Sequence, residues 1–299
     1  MALEHLALIG CGLMGGSFAL AAKRAGLVQR VSGFSRSPQS AERARELGIV
    51  DRVAPSAQAC VQGADLVLIA VPVAATQATL EALLPHLERH ALVMDVGSTK
   101  HDVAQAAQAA LGDRIGQFMP AHPICGKEVA GIEHADAALY LDQQVILTPL
   151  PCHAPADIER ARAIWLALGC RVRQMPADEH DRALAAVSHF PHMMAFALMR
   201  SLMAQPEGEQ FMAVAGPGFR DTTRIAAGDA DLWADVLLAN AREVIAQSRG
   251  LHAQLLELES MLQQQDRPAV RDFIARASAR RAAWRLGGPQ ASCDEKPQA

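Results

Sequence analysis

Between Leu6 and Ser17 the chain reads Leu-Ala-Leu-Ile-Gly-Cys-Gly-Leu-Met-Gly-Gly-Ser, an apolar strand pattern that turns through Gly-x-Gly-x-x-Gly into an apolar helix pattern. Each glycine in that order has its own physical reason. Gly10 permits the tight turn, Gly12 lets backbone come close to a pyrophosphate, and Gly15 lets the helix lie against the strand. The free N–H groups of the first helical turn, around Leu13 and Met14, face two phosphates with the positive end of the helix behind them. A segment built this way opens a parallel α/β domain that binds a dinucleotide.

The end of the second strand decides which dinucleotide. An NAD site places an acid there, roughly twenty residues past the glycines, to hold the adenine-ribose 2′-hydroxyl. Here Val31-Ser32-Gly33-Phe34 runs into Ser35-Arg36-Ser37 with no carboxylate. A carboxylate would repel a 2′-phosphate, whereas the Arg36 guanidinium can grip one and stack on adenine, with Ser35 and Ser37 adding donors. NADP(H) is therefore the expected cofactor, with NAD as the alternative; a solvated loop cation is the other reading of Arg36.

Apolar strand patterns at 6–10, 31–34, 66–71, 92–96, 117–120, 145–148 and 171–173 alternate with helical periodicity at 13–25, 40–47, 75–87, 99–111 and 156–168. That alternation produces a parallel sheet with crossover helices. The 66–71 strand ends in Val71-Pro72, and its carboxyl end should face the cofactor crevice. Beyond Pro176 strand patterns give way to long helical runs at 179–203, 231–264 and 269–286. The 231–264 run has more apolar surface than one small layer covers, which points to an all-helical domain that also dimerises. The expected division is 1–175 for the dinucleotide domain, 176–287 for the helical domain and 288–299 for a disordered tail.

Composition excludes several classes. The 299 residues carry 28 basic and 32 acidic side chains, a net charge of −4, and no basic patch interleaved with aromatics. Nucleic acid is not an expected partner. No leader is expected, and no apolar run reaches the ~18 residues of a membrane span. A cytoplasmic protein is expected, away from the membrane. Six cysteines show no paired spacing and read as reduced thiols. Cys125 stands close to a candidate histidine, but a small packing residue is the expected role.

Four further clusters could carry chemistry. Asp95-Val96-Gly97-Ser98-Thr99-Lys100 follows a strand, and Ser98 could bond a nicotinamide or a substrate hydroxyl, or cap the helix expected from Thr99. His122, in Ala121-His122-Pro123-Ile124-Cys125-Gly126-Lys127-Glu128, could take a proton while hydride leaves the same carbon, or be a structural imidazole. Ser188-His189-Phe190-Pro191-His192 lies in a helical run that Pro191 should kink, freeing a carbonyl near both histidines. No third ligand accompanies this His-x-x-His, so no metal is expected. Gly218-Phe219-Arg220-Asp221-Thr222-Thr223-Arg224 supplies two arginines, which suit carboxylates through paired N–H bonds; Arg220 could equally pair with Asp221.

Taken in order, these motifs resemble the prephenate/arogenate (cyclohexadienyl) dehydrogenases of tyrosine biosynthesis, over nearly the whole chain. The resemblance implies a Rossmann-type doubly wound sheet, an all-helical C-terminal dimerisation domain giving a homodimer, and an active site in the cleft between them. It implies that His122 is the catalytic histidine on the ring C4 hydroxyl and that Ser98 orients that hydroxyl and the nicotinamide. His189 and His192 then form the helical wall, Arg224 binds a substrate carboxylate, and Glu128 and Asp221 are linked to closing the site. Lys127 departs from the Thr often found at its place, and the Ser35-Arg36 pair resembles the NADP-using members. A β-hydroxyacid dehydrogenase of similar plan would carry a Lys where this chain has Ser188-His189. A non-catalytic NADP sensor would not need Ser98, His122, His189 and Arg224 together, and no fused mutase or regulatory domain is expected.

Overall fold

The computed structural model describes residues 3–127 and 129–285. Its first part alternates β1 (Leu3–Ile9), α1 (Leu13–Arg24), β2 (Val28–Phe34), α2 (Pro38–Glu46), β3 (Arg52–Val53), α3 (Ala57–Val61), β4 (Leu66–Ile69), α4 (Thr76–Leu83), β5 (Leu92–Asp95), α5 (His101–Leu111) and β6 (Phe118–Met119). The strands form one parallel sheet in the order β3-β2-β1-β4-β5-β6. Leu6 pairs with Val31 on one side and with Leu66 on the other. Alternate residues of each strand feed opposite faces. Leu6, Leu8, Leu66, Leu68 and Met94 join one core with Phe18, Tyr140 and Trp165. Ala7, Ile9, Val67, Ile69 and Val93 join the other with Leu80, Val103 and Phe118. A sheet buried on both faces needs continuous apolar strands, and β4 (Leu-Val-Leu-Ile) is buried at every residue.

The first half is not a single sheet. The expected strand at 117–120 ends at Met119, and Ala121–Pro123 forms β7 in a second, three-stranded sheet. β7 runs antiparallel to β8 (Gln144–Leu147), which pairs parallel with β9 (Arg171–Gln174) after α6 (Pro155–Ala167). Pro120 has no N–H to extend the first ladder. Its carbonyl accepts from Thr148 N at 3.0 Å, while Ala121 N donates to the Asp95 carboxylate at 2.9 Å. The change of sheet places His122 on a strand, opposite Ile146. The short β3 and α3 lie below the length at which periodicity is legible. The strand expected to reach Val71 stops at Ile69, where a turn leads into a 3-10 helix at Val73–Ala75.

The helical part begins with α7 (Ala177–Leu184), a π-helical turn at Ala185–His189 and α8 (Phe190–Met203). Pro191 falls in the first turn of α8, so the widened turn takes the place of a simple kink. Next come α9 (Gly208–Ala213), α10 (Pro217–Thr223), a 3-10 turn at Arg224–Ala227 and α11 (Ala230–Ala239). The pattern expected as one helix from 231 to 264 is divided at Asn240, which separates α11 from α12 (Ala241–Gln263). The last described helix is α13 (Arg267–Ala283). The chain divides into two compact units between Val244 and Ile245. The expected tail at 288–299, and Glu128, lie outside the described residues.

Candidate active site

Two cavities open at the carboxyl ends of neighbouring strands. The first, of about 690 Å³, lies beyond β1, β2 and β4 and is lined by Gly10, Gly12, Ser35, Arg36, Ser37, Val71 and Pro72 among others. Gly10 has φ +104°, and a Cβ there would lie 2.2 Å from the Ala70 carbonyl oxygen. A Cβ at Gly12 would meet nothing within 4 Å, so the backbone there borders open space that a phosphate can enter. Gly15 stands behind that edge, where a Cβ would collide with Gly10 and Leu8. Leu13 and Met14 begin α1 outside the cavity lining, and the Met14 carbonyl accepts from Tyr140 Oη at 2.8 Å. Arg36 is exposed at the rim. Ser37 Oγ is already engaged, accepting from Ser40 N at 3.2 Å as the cap of α2. These features fit a dinucleotide.

The second cavity, of about 710 Å³, brings together Ser98, His122, His189, His192 and Arg224, with Cys125, Lys127 and Trp233 also in its wall. Residues 126 positions apart in sequence thus share one pocket. A buried ion pair lies beside Ser98 in sequence and reaches the neighbour of His122. Lys100 Nζ donates to Asp95 Oδ2 and, at 3.0 Å, to the Ala121 carbonyl, with the two side chains 0% and 3% exposed. Asp95 also accepts from Gly97 N at 2.8 Å and Ala121 N. The pair ties the end of β5, before Ser98, to the start of β7, before His122. α5 starts at His101, and its first N–H groups are capped by Asp181, which accepts from Lys100 N and His101 N at 2.8 Å each. Ser98, for which capping was the alternative reading, does not cap this helix; a carboxylate from α7 has that role.

His122 Nδ1 lies 2.8 Å from His180 Nε2, and His180 Nδ1 lies 2.7 Å from Asp181 Oδ1. Burial, with the nearby His180, Lys100 and His189, holds His122 well below the ordinary imidazole range. It is therefore a neutral ring near pH 7, able to accept a proton. Burial also lowers His180, against the pull of Asp181. Burial raises the Asp181 carboxyl, but hydrogen bonds from His180 and the N–H groups of His101 and Lys100 outweigh it and keep it below the usual carboxylate range.

In the helical wall, burial lowers His189 to about 4. Its Nδ1 is 3.0 Å from Asn240 Nδ2, which also donates to the Asp181 carbonyl at 2.7 Å. The Ser188 carbonyl accepts from His192 Nδ1 at 2.9 Å, across the widened turn. The His192 ring stacks on Trp233 with centroids 3.6 Å apart. Burial pushes the Cys125 thiol up to about 12, which removes it as a nucleophile. Lys127 Nζ donates to the His134 carbonyl at 3.0 Å and to Asp136 at 3.1 Å. Asp221 is outside the cavity lining and pairs with Arg220 at 2.9 Å. Among the described residues no group of three or more His, Cys, Asp or Glu is arranged to hold a metal ion. His180, Asp181, Lys100 and Asn240 were not legible as site residues; the adjacent His180-Asp181 pair at a helix start was the available signal.

A dinucleotide cradle next to a cavity with a buried neutral imidazole, a serine and an arginine defines a nicotinamide-dependent dehydrogenase. Residues 18–174 match the prephenate dehydrogenase nucleotide-binding domain and residues 176–276 the prephenate dehydrogenase dimerization domain. The chain belongs to the prephenate dehydrogenase family. It is 35% identical to the cyclohexadienyl dehydrogenase of Zymomonas mobilis, over 88% of this chain and 90% of that one. A crystal structure of prephenate dehydrogenase from Aquifex aeolicus, in complex with hydroxyphenyl propionate and NAD+, matches with a TM-score of 0.87 at 30% identity, covering 94% and 98% of the two chains. Synechocystis arogenate dehydrogenase matches with a TM-score of 0.80 at 27% identity, covering 93% of this chain and 99% of that one.

Proposed function

We propose that this protein catalyses the oxidative decarboxylation of prephenate, arogenate or both, giving 4-hydroxyphenylpyruvate or tyrosine. The observation that carries this reading is the convergence of Ser98, His122, His189 and Arg224 on one cavity at the carboxyl end of β5, next to the dinucleotide crevice. When bound, the nicotinamide supplies the hydride acceptor. His122 accepts the proton of the substrate C4 hydroxyl, and Ser98 orients that hydroxyl. Arg224 holds a substrate carboxylate by charge and paired N–H bonds, with His189 and His192 completing the wall. The ring carboxylate leaves as carbon dioxide, and aromatisation drives the step forward. Asp221 and Glu128 act in closing the site.

NADP(H) is the preferred cofactor in this reading, supported by Arg36 at the rim and the lack of an acid at the end of β2. Leu13 and Met14 offer their backbone N–H groups to the phosphates. The functional domains divide near residue 175, with the helical part from 176 to 287 forming a homodimer. Apolar side chains left in solvent support that, including Val187, Val214 and Leu238 in the first unit and Leu255, Leu256 and Leu262 in the second. Among the described residues no helix is long and apolar enough to cross a membrane. The cytoplasm, which keeps thiols reduced, is the proposed compartment. The deciding experiment measures reduced-nicotinamide absorbance with prephenate and arogenate, each with NAD+ and NADP+. Turnover of either substrate, faster with NADP+, is expected; no absorbance change in any of the four combinations refutes the reading.

A further inference from the structure

We propose that Asp181 acts as a positioning residue that, through His180 and Asn240, sets opposite tautomers on two imidazoles of the cavity, leaving His122 with a bare Nε2 and His189 with an Nε2–H. Each step follows from what the partner can accept. The Asp181 carboxylate already accepts two backbone N–H bonds, from Lys100 and His101, and has no proton to give. His180 Nδ1, 2.7 Å from it, must carry a hydrogen. A neutral His180 then has a bare Nε2, so His122 Nδ1 at 2.8 Å must donate to it. The lone pair of His122 is left on Nε2, the ring atom available to a hydroxyl in the cavity.

The other wall is set from the same residue. The Asp181 carbonyl can only accept, which turns the Asn240 amide nitrogen towards it at 2.7 Å. That nitrogen is also 3.0 Å from His189 Nδ1, so Nδ1 must accept. A neutral His189 then carries its hydrogen on Nε2, a buried atom with no hydrogen-bond partner among the described residues. His122 and His189 line the same cavity, so its wall carries a base on the strand side and a buried, unpartnered N–H on the helix side. The other charged or titratable groups facing this network are Lys100, Asp95, Asp102 and His192. No sequence pattern links the two partners, because 59 positions separate Asp181 from Asn240.

Nitrogen-15 NMR of the histidine rings in the full-length wild-type chain at neutral pH reads the tautomers without any substrate, with His122→Asn and His189→Asn used for assignment. The expected result is Nδ1–H on His122 and Nε2–H on His189; a proton on Nε2 of His122 overturns the proposal. The kinetic arm rests on the proposed reaction. Asp181→Asn should lower kcat by on the order of 10²-fold or more, against the ~10⁴-fold seen when the orienting carboxylate of a catalytic triad is neutralised, with KM and NADP+ affinity within about threefold of wild type. His180→Gln, which keeps one acceptor and one donor, should retain at least about tenfold more activity than His180→Leu. Equal activity of those two variants, or an Asp181→Asn kcat within about threefold of wild type, overturns the proposal. Should the wild type turn over neither substrate, or a variant not fold, the wild-type NMR spectrum still decides.

Discussion

Lys100→Met tests whether the buried ion pair that joins β5 to β7 holds the strand ends beside the cavity in place. Methionine keeps much of the length and flexibility of lysine without its charge, so packing is nearly preserved. What remains is a carboxylate 3% exposed, still accepting from Gly97 N and Ala121 N, and an Ala121 carbonyl that has lost a donor. Removing one half of a buried pair costs about 3–5 kcal/mol because the other charge is left in a poorly solvated site. Two surviving backbone donors place the expectation at the lower end, about 3 kcal/mol. For a unit of this size, at about 2–4 °C per kcal/mol, Tm falls by about 6–12 °C. Urea and thermal unfolding followed by circular dichroism give the stability, with the double variant Lys100→Met/Asp95→Asn as control. Neutralising the carboxylate as well should recover at least about half of the loss. A single variant destabilised by less than about 1 kcal/mol, or a double variant no more stable than the single, refutes the reasoning.

His122→Asn should lower kcat on the order of 10²-fold or more while leaving NADP+ affinity nearly unchanged, read by steady-state kinetics and cofactor titration. Arg224→Ala should mainly raise the KM of the substrate, and an unaltered KM would contradict carboxylate binding. Gly10→Ala should both destabilise the protein and weaken dinucleotide binding, since φ +104° and the 2.2 Å approach to Ala70 leave no room for a Cβ. Stability should fall as pH drops from about 6.5 towards 4, because in that window unfolded His189 binds a proton that the folded ring, held at about 4, refuses. That group alone contributes up to about 3 kcal/mol, and His189→Gln should flatten the acid side of the unfolding curve.

The residues that reported themselves in sequence work through local backbone geometry. Gly10, Gly12 and Gly15 are legible because a turn, a phosphate approach and a helix–strand contact each need a missing Cβ within one short segment. The strands around Leu6–Ile9 and Leu66–Ile69 are legible because a sheet buried on both faces demands unbroken apolar runs. His122, His189 and Arg224 stood out by residue type, and the absence of an acid at Ser35-Arg36-Ser37 could be read directly. What tertiary structure alone decided is how distant polar groups are matched. Pro120 moves the chain to a second sheet, Asp181 caps α5, and Asn240 divides a continuous helical pattern to reach Asp181 and His189. A buried donor or acceptor must find a partner wherever in the chain one is available, and such pairing leaves no periodicity to read.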